Sequence, residues 1–223
     1  MRRTILIIAL AIIALQIAAQ DSNTAWWPAI KVQKEITKKF SLQLEHETRY
    51  FTNLSEIDRL ATSLEGDYSI AKKWNVGLAY TWIYNHNLKE DIYASRNRYY
   101  LYVRYKEKFG NWSFYIREKF QSTYRDEEKE SLDYSPKSVL RSKAEVAYKI
   151  KYISLTPYIN GQFRYQLNHP TKNEVDQYRW SIGGEYKFSK RLSADLYFQK
   201  EGELNKKKPD KVSIIGTTLK IKI

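Results

Sequence analysis

Apolar and polar side chains alternate along most of this chain with a period of two residues. Between residues 74 and 84, the even positions are Trp, Val, Leu, Tyr, Trp and Tyr, whereas most of the odd positions are small or polar. The same alternation recurs at residues 40–50, 60–70, 98–106 and 178–188. Because successive side chains of a strand point to opposite faces, this period predicts β-strands and not helices.

Eleven segments carry the alternation, and no helical pattern of useful length separates them. Short connections alternate with long polar ones, and three of the short ones share the form apolar, small, basic, basic, apolar, at residues 36–40, 70–74 and 188–192. The pattern predicts an up-and-down antiparallel barrel with strands near residues 25–36, 40–51, 59–70, 74–84, 96–107, 112–124, 138–149, 153–165, 177–188, 192–201 and 211–223.

The apolar face of this barrel needs an apolar environment, and three features indicate that the environment is lipid. The predicted strands match a tilted membrane crossing of about 9–11 residues and exceed the five or six residues usual in soluble sheets. Short turns alternate with long loops, as in outer-membrane barrels. Aromatic residues gather at strand ends, where an interfacial belt is expected; the predicted belt comprises Tyr50, Trp74, Trp82, Tyr84, Trp112, Tyr165 and Trp180.

The number of strands is predicted as ten to twelve. Bacterial transmembrane barrels normally have an even number, so twelve is favoured although the alternation marks eleven segments. His46 and Glu118 fall on the predicted lipid face, and a bulge near Glu118 would turn its carboxylate inward. A soluble periplasmic barrel that binds a ligand is the alternative fold, and its apolar face would point inward.

The first nineteen residues are typical of a secretory signal peptide. Arg2 and Arg3 precede an almost wholly apolar run at residues 4–17, which the small residues Ala18 and Ala19 follow. That run is short for a membrane span of about 20 residues. We expect cleavage after Ala19, which leaves residues 20–223 as one barrel domain in the cell outer membrane.

The amino-acid composition limits the kinds of functional site that the chain can form. The 223 residues include 19 Tyr, 8 Phe and 6 Trp, no Cys and three His, which excludes disulfides and thiolate sites and gives no reason to expect a metal or cofactor. The net charge is +13, but the basic residues are spread over turns and the polar face without a nucleic-acid-binding motif. The expected partners are outer-membrane lipid, lipopolysaccharide and the barrel-assembly machinery during insertion, and we expect a monomer.

The polar face of the predicted strands would line the lumen with charge. In a narrow interior, opposite charges should pair, because unpaired buried charge is costly. The predicted network comprises Glu45, Glu47, Arg49, Glu65, Asp67, Arg104, Arg117, Lys119, Arg141, Lys143, Glu145, Arg164, Arg179, Glu185 and Asp195. Either these ion pairs only hold the wall together, or they line a narrow pore or pocket for a small, anionic solute.

A catalytic alternative rests on His46. His46 and Thr48 share one face of one strand, which could imitate the His and Ser of an outer-membrane lipid hydrolase or acyltransferase. Such a site also needs a group that orients the His, and the sequence does not identify one. No catalytic residue is therefore assigned.

Several short motifs resemble those of an exported family of Gram-negative bacteria, the domain of unknown function 2490. They are WW at 26–27, KKF at 38–40, LEHETRYF at 44–51, RL at 59–60, TPY at 156–158 and NEVDQYR at 173–179. The resemblance covers residues 25–223 and implies an outer-membrane β-barrel without an assigned activity. It supplies no catalytic residues. The final residue, Ile223, differs from the aromatic residue that ends many such barrels and aids their assembly.

Overall fold

A computed structural model describes residues 24–51, 56–87, 92–125, 136–206 and 208–223, and these residues form a closed barrel. Besides a 3₁₀ turn at Lys151–Ile153, they comprise eleven strands: β1 (Thr24–Glu35), β2 (Phe40–Phe51), β3 (Glu56–Ala71), β4 (Trp74–Asn87), β5 (Ile92–Phe109), β6 (Trp112–Arg125), β7 (Lys137–Tyr148), β8 (Leu155–Gln166), β9 (Val175–Lys187), β10 (Leu192–Glu203) and β11 (Lys211–Lys222). The predicted all-β barrel is confirmed. The predicted signal peptide, residues 1–19, lies outside the described residues.

The barrel closes through a parallel pair of strands. Each strand pairs antiparallel with its neighbours in sequence, whereas β1 and β11 pair in parallel from Thr24 opposite Ser213 to Gln33 opposite Lys222. The preference for twelve strands was therefore wrong for the described part of the chain. An odd number makes the first and last strands run in the same direction, and a parallel ladder can still supply the backbone hydrogen bonds of both edges.

The connections β1–β2, β3–β4, β5–β6, β7–β8 and β9–β10 all lie at one end of the barrel, which we call the turn rim; the other end is the loop rim. In two of the three repeated turns a hydroxyl organises the bend. Thr37 accepts hydrogen bonds from the backbone amides of Lys39 and Phe40, at 3.2 and 3.0 Å. In the turn at residues 188–192, Ser189 accepts from the amides of Arg191 and Leu192, both at 3.1 Å. The small residue of the repeat is thus a local turn-forming group.

The apolar face points outward along the wall. Leu44, Leu78 and Leu101, near the middle of their strands, are 51%, 60% and 55% exposed. Their sequence neighbours Glu45 and Ala79 face the lumen. This is the orientation expected for a barrel surrounded by lipid, and the opposite of the one that a soluble barrel requires.

The expected bulge near Glu118 is absent from the described strands. The pairings of β6 with β5 and with β7 run without a register shift through Glu118. Its carboxylate stays on the outer face and accepts a hydrogen bond of 2.7 Å from the Ser142 hydroxyl. A local hydrogen-bond donor, and not a change of register, accommodates this polar group.

No helix within the described ranges is long and apolar enough to span a membrane.

The parallel closure can be tested by cross-linking, because the chain has no cysteine of its own. Ala29 on β1 lies opposite Thr218 on β11. We expect the double variant Ala29→Cys/Thr218→Cys to form an intramolecular disulfide on oxidation of the folded protein, since directly paired positions satisfy the Cα spacing of a disulfide.

The matched control is Ala29→Cys/Ser193→Cys, in which the second residue lies one strand further away, opposite Lys220. It should not cross-link. A barrel with an additional strand between β1 and β11 would leave both pairs uncross-linked, and that result would overturn the eleven-strand closure.

Candidate functional site: the charged lumen

All fifteen residues of the predicted charge network occupy lumen-facing positions in the described strands. The strands bring many of them into direct contact. On β3, Asp67 accepts hydrogen bonds from Arg104 Nη2 at 2.7 Å and from the Tyr102 hydroxyl at 2.5 Å. Glu65, two residues earlier, accepts from the hydroxyls of Tyr100 and Tyr102, at 2.7 and 2.9 Å.

These bonds join β5 to β3 across the strand between them. They are possible because the lumen-facing residues of β4 between Asn75 and Thr81 are small or short. Tyr102 lies over Gly77, where an added Cβ atom would overlap its ring, and only 5% of Tyr102 is exposed. The lumen-facing residues of β4 that leave this room are Asn75, Gly77, Ala79 and Thr81.

A second group of ion pairs lies near the turn rim. Lys220 Nζ contacts Glu185 at 2.7 Å and Asp195 at 3.2 Å, and the Tyr158 hydroxyl donates to Asp195 at 3.0 Å. Further pairs there are Lys143–Glu145 and Lys31–Glu45, each at 2.8 Å. This half of the lumen holds carboxylates for many of its ammonium groups.

Towards the loop rim the ion pairs use partly different residues. Arg164 binds Asp176 through Nε and Nη2, at 2.5 and 2.8 Å, and Arg179 Nε lies 2.6 Å from Glu201. Asp176 and Glu201 were not among the predicted lumen residues.

The pair Arg49–Glu47 stands beside them at 2.6 Å. The guanidinium of Arg49 lies 3.6 Å above the centre of the Trp27 ring, a cation–π contact. Trp27 is buried in the lumen, although its neighbour Trp26 stacks outside on Tyr50. The two adjacent tryptophans therefore lie on opposite faces of the barrel wall.

Two cavities are stacked along the barrel axis. The first has a volume of about 850 Å³ and lies towards the turn rim; we call it the turn chamber. The second has a volume of about 410 Å³, lies towards the loop rim and is called the loop chamber. Both are lined by Arg117, Gln162 and Arg179, so these three side chains form the waist between the chambers.

The chambers differ in their balance of charge. The walls of the turn chamber carry ten Lys or Arg residues and five Asp or Glu residues. Among the described residues, the walls of the loop chamber carry eleven Lys or Arg residues and two carboxylates, Asp58 and Glu201. A low-dielectric cleft lined mainly by one sign of charge concentrates ions of the opposite sign, and the described wall of the loop chamber is mainly positive.

Five cations around the loop chamber form no ion pair within the described residues: Arg59, Arg98, Arg117, Lys119 and Arg141. Arg59 donates instead to the Asn85 side chain. Arg98 donates to the Thr123 hydroxyl at 3.2 Å, and the Lys119 ammonium lies 4.5 Å from the centre of the Tyr100 ring. Arg141 is only 7% exposed and makes a long hydrogen bond of 3.5 Å to Gln177. Arg98 belongs to the alternating polar face, so the pattern itself could have identified it as a lumen residue.

The residues of the predicted aromatic belt lie on the outer face, and most of them lie near strand ends. At the turn rim, Trp74 packs on Tyr105 and Trp112 on Tyr148, with ring centres 4.9 and 4.8 Å apart. At the loop rim lie Tyr50, Trp82, Tyr84 and Tyr165. Trp180 differs, because it lies in the middle of β9 and packs edge-on against Phe198.

His46 lies on the outer face, and its Nδ1 atom shares a hydrogen bond of 2.9 Å with the hydroxyl of Thr62 on β3. The imidazole therefore bonds to Thr62 and not to Thr48, the candidate nucleophile on its own strand. Among the described residues, no group of three or more His, Asp or Glu side chains could hold a metal ion.

The sequence matches one protein-family model over most of its length. The model of a family described as a protein of unknown function, DUF2490, matches residues 24–211. No curated protein matches the sequence.

Solved outer-membrane structures are similar to this chain at low sequence identity. The β-domain of the Bordetella autotransporter BrkA matches with a TM-score of 0.51 at 7% identity, over 86% of this chain and 96% of that one. A bacterial polysaccharide outer membrane secretin matches at 11% identity, with 79% and 73% coverage and a TM-score of 0.47. The translocator domain of the autotransporter NalP from Neisseria meningitidis matches at 8% identity, with 81% and 74% coverage and a TM-score of 0.41.

Because the Tyr102 ring lies over Gly77 on β4, we expect the stability of the barrel to depend strongly on side-chain size at position 77. We expect Gly77→Val to lower the free energy of unfolding by about 1–3 kcal/mol, because the valine displaces the Tyr102 ring from its hydrogen bonds to Glu65 and Asp67. Urea titration of the protein in lipid vesicles, followed by tryptophan fluorescence, measures this quantity.

Gly161→Val is the matched control, since Gly161 lies on the outer face of a strand and an added Cβ atom meets nothing within 4 Å. It should leave stability unchanged or raise it. Equal destabilisation by both variants would contradict the packing of Tyr102 over β4.

Proposed function

The chain belongs to the DUF2490 family, and we propose that it is an outer-membrane protein whose charged lumen admits small solutes, anions in preference to cations. Support for the location comes from the fold and the outer surface. The wall presents apolar side chains outward, with aromatic residues near both rims, and this distribution matches a lipid bilayer with two interfaces.

The observation that carries the proposed passage is the pair of chambers that meet at a shared waist. Barrels of about eight strands are filled by side chains, whereas those of about 16–18 strands leave an open aqueous channel. Eleven strands lie between these cases. The cavities of about 850 and 410 Å³ are large enough for small solutes, but their three shared waist residues leave no wide pore.

Charge sets the expected selectivity. A lumen that only holds the wall together would be expected to balance its acids and bases. The loop chamber does not, since the described part of its wall carries eleven basic residues and two carboxylates. Two of the three waist residues are arginines. Anions entering from the loop rim therefore meet a favourable potential along the whole loop chamber.

Conductance in planar lipid bilayers tests this function. Purified, refolded protein should give stable current steps, and a KCl gradient should give a reversal potential with the sign of an anion-selective pathway. We expect Arg117→Gln, which removes one cation from the waist, to reduce the anion-to-cation permeability ratio by about two-fold or more.

Arg191→Gln is the control, because Arg191 lies in an exposed turn between β9 and β10 and carries the same charge outside the lumen. It should behave as the unmodified protein does. Folded protein that conducts no current, or a cation-selective current, would contradict the proposed passage of anions.

A further inference from the structure

We propose that the loop chamber is a binding site for a multiply charged phosphate-class oxyanion, such as pyrophosphate or a phosphate ester, held by Lys119, Arg141 and Arg98. This inference deepens the proposed function, on which it rests, by naming the class of solute. It concerns the group of cations between the waist and the loop rim.

The first argument is the arrangement of like charges on neighbouring strands. Lys119 on β6 lies directly opposite Arg141 on β7, which in turn lies opposite Arg164 on β8. Like charges in directly opposite positions destabilise a sheet. Arg164 is neutralised by Asp176, whereas Lys119 and Arg141 have no carboxylate within ion-pair distance in the described part of the chain.

The second argument is an unused donor inside the site. Arg141 is buried, and its Nε atom has no hydrogen-bond partner within the described residues. Arg117 Nε, at the waist, also has no hydrogen-bond partner within the described residues. A buried donor without an acceptor costs about 1–3 kcal/mol, and more when the group is charged. An oxyanion in the chamber would supply acceptors to both guanidinium groups.

The remaining wall supports an oxyanion with several oxygen atoms. Gln121, Thr123 and Gln162 are buried and line the chamber, and their amides and hydroxyl can donate to oxygens that the cations do not reach. Glu201, one of the two carboxylates of the wall, is already bound by Arg179 and Gln177. Asp58, the other, lies near Arg59 at the loop rim.

The chemistry of the cations favours phosphate over a simple halide. A guanidinium group offers a planar fork that binds two oxygens of a phosphate at once. A single monovalent ion would leave most of the positive charge uncompensated. A phosphate-class anion carries two or more charges on tetrahedral centres, which cations converging from β5, β6 and β7 can contact together.

Calorimetric titration of the refolded protein with inorganic pyrophosphate tests the site. We expect saturable binding with about one anion per barrel, weakened about ten-fold or more by Arg141→Gln and by Lys119→Gln, since each removes a charge-assisted hydrogen bond. Lys106→Gln is the matched control, because Lys106 lines the turn chamber only; it should bind as the unmodified protein does.

A second readout separates a binding role from a merely structural one. If the charge of Arg141 is neutralised only when an anion binds, Arg141→Gln should be at least as resistant to thermal unfolding as the unmodified protein when no polyanion is present. Pyrophosphate should raise the unfolding temperature of the unmodified protein only. A variant that is less stable without the anion, or equal binding by all variants, would overturn the proposed site.

The outcomes also distinguish this inference from the proposed passage. Anion-selective conductance without pyrophosphate binding would overturn the phosphate site and leave the passage standing. Specific pyrophosphate binding without conductance would support the site and show that the barrel holds its solute without passing it.

Discussion

The whole structure depends on one constraint, which is that a single layer of strands separates lipid from the lumen. Side chains alternate across this layer, so every second residue must suit hydrocarbon and the others must suit a narrow polar interior. Leu44, Leu78 and Leu101 occupy the outer side, and the polar residues of the same strands, charged on β2 and β5, are thereby placed inside. The lumen is crowded with charge because the wall has no other place for it.

The crowded charges are neutralised to different extents in the two halves of the lumen. Near the turn rim, carboxylates such as Glu185 and Asp195 meet ammonium groups directly. On β3 to β5, small residues on the middle strand let tyrosines cross it to reach Glu65 and Asp67. In the loop chamber neither arrangement is complete, since Lys119 and Arg141 lie opposite each other and no carboxylate of the described residues pairs with them. This unpaired positive charge is the basis of the proposed anion site.

The alternation predicted the fold, the outward apolar face and the lumen positions, because each follows from local periodicity. Features that depend on pairing between strands were not accessible in the same way. The parallel closure of β1 on β11 depends on contact between the two ends of the described chain. Glu118 was expected to need a bulge, but its partner Ser142 comes from the next strand. Likewise, the pairing of Asp176 with Arg164 and of Glu201 with Arg179 depends on the strand register. Trp27 lies in the lumen although its neighbour Trp26 faces outward.

The central claim is that the loop chamber holds positive charge that the protein itself does not neutralise. A crystal structure of the detergent-solubilised protein grown in bromide, with anomalous diffraction data, tests this most directly. The account predicts bromide in the loop chamber in contact with Arg141 and Lys119, and none beside Lys220, whose two carboxylates already neutralise it. A loop chamber without bromide, with Arg141 and Lys119 each paired to a carboxylate of the chain, would contradict it.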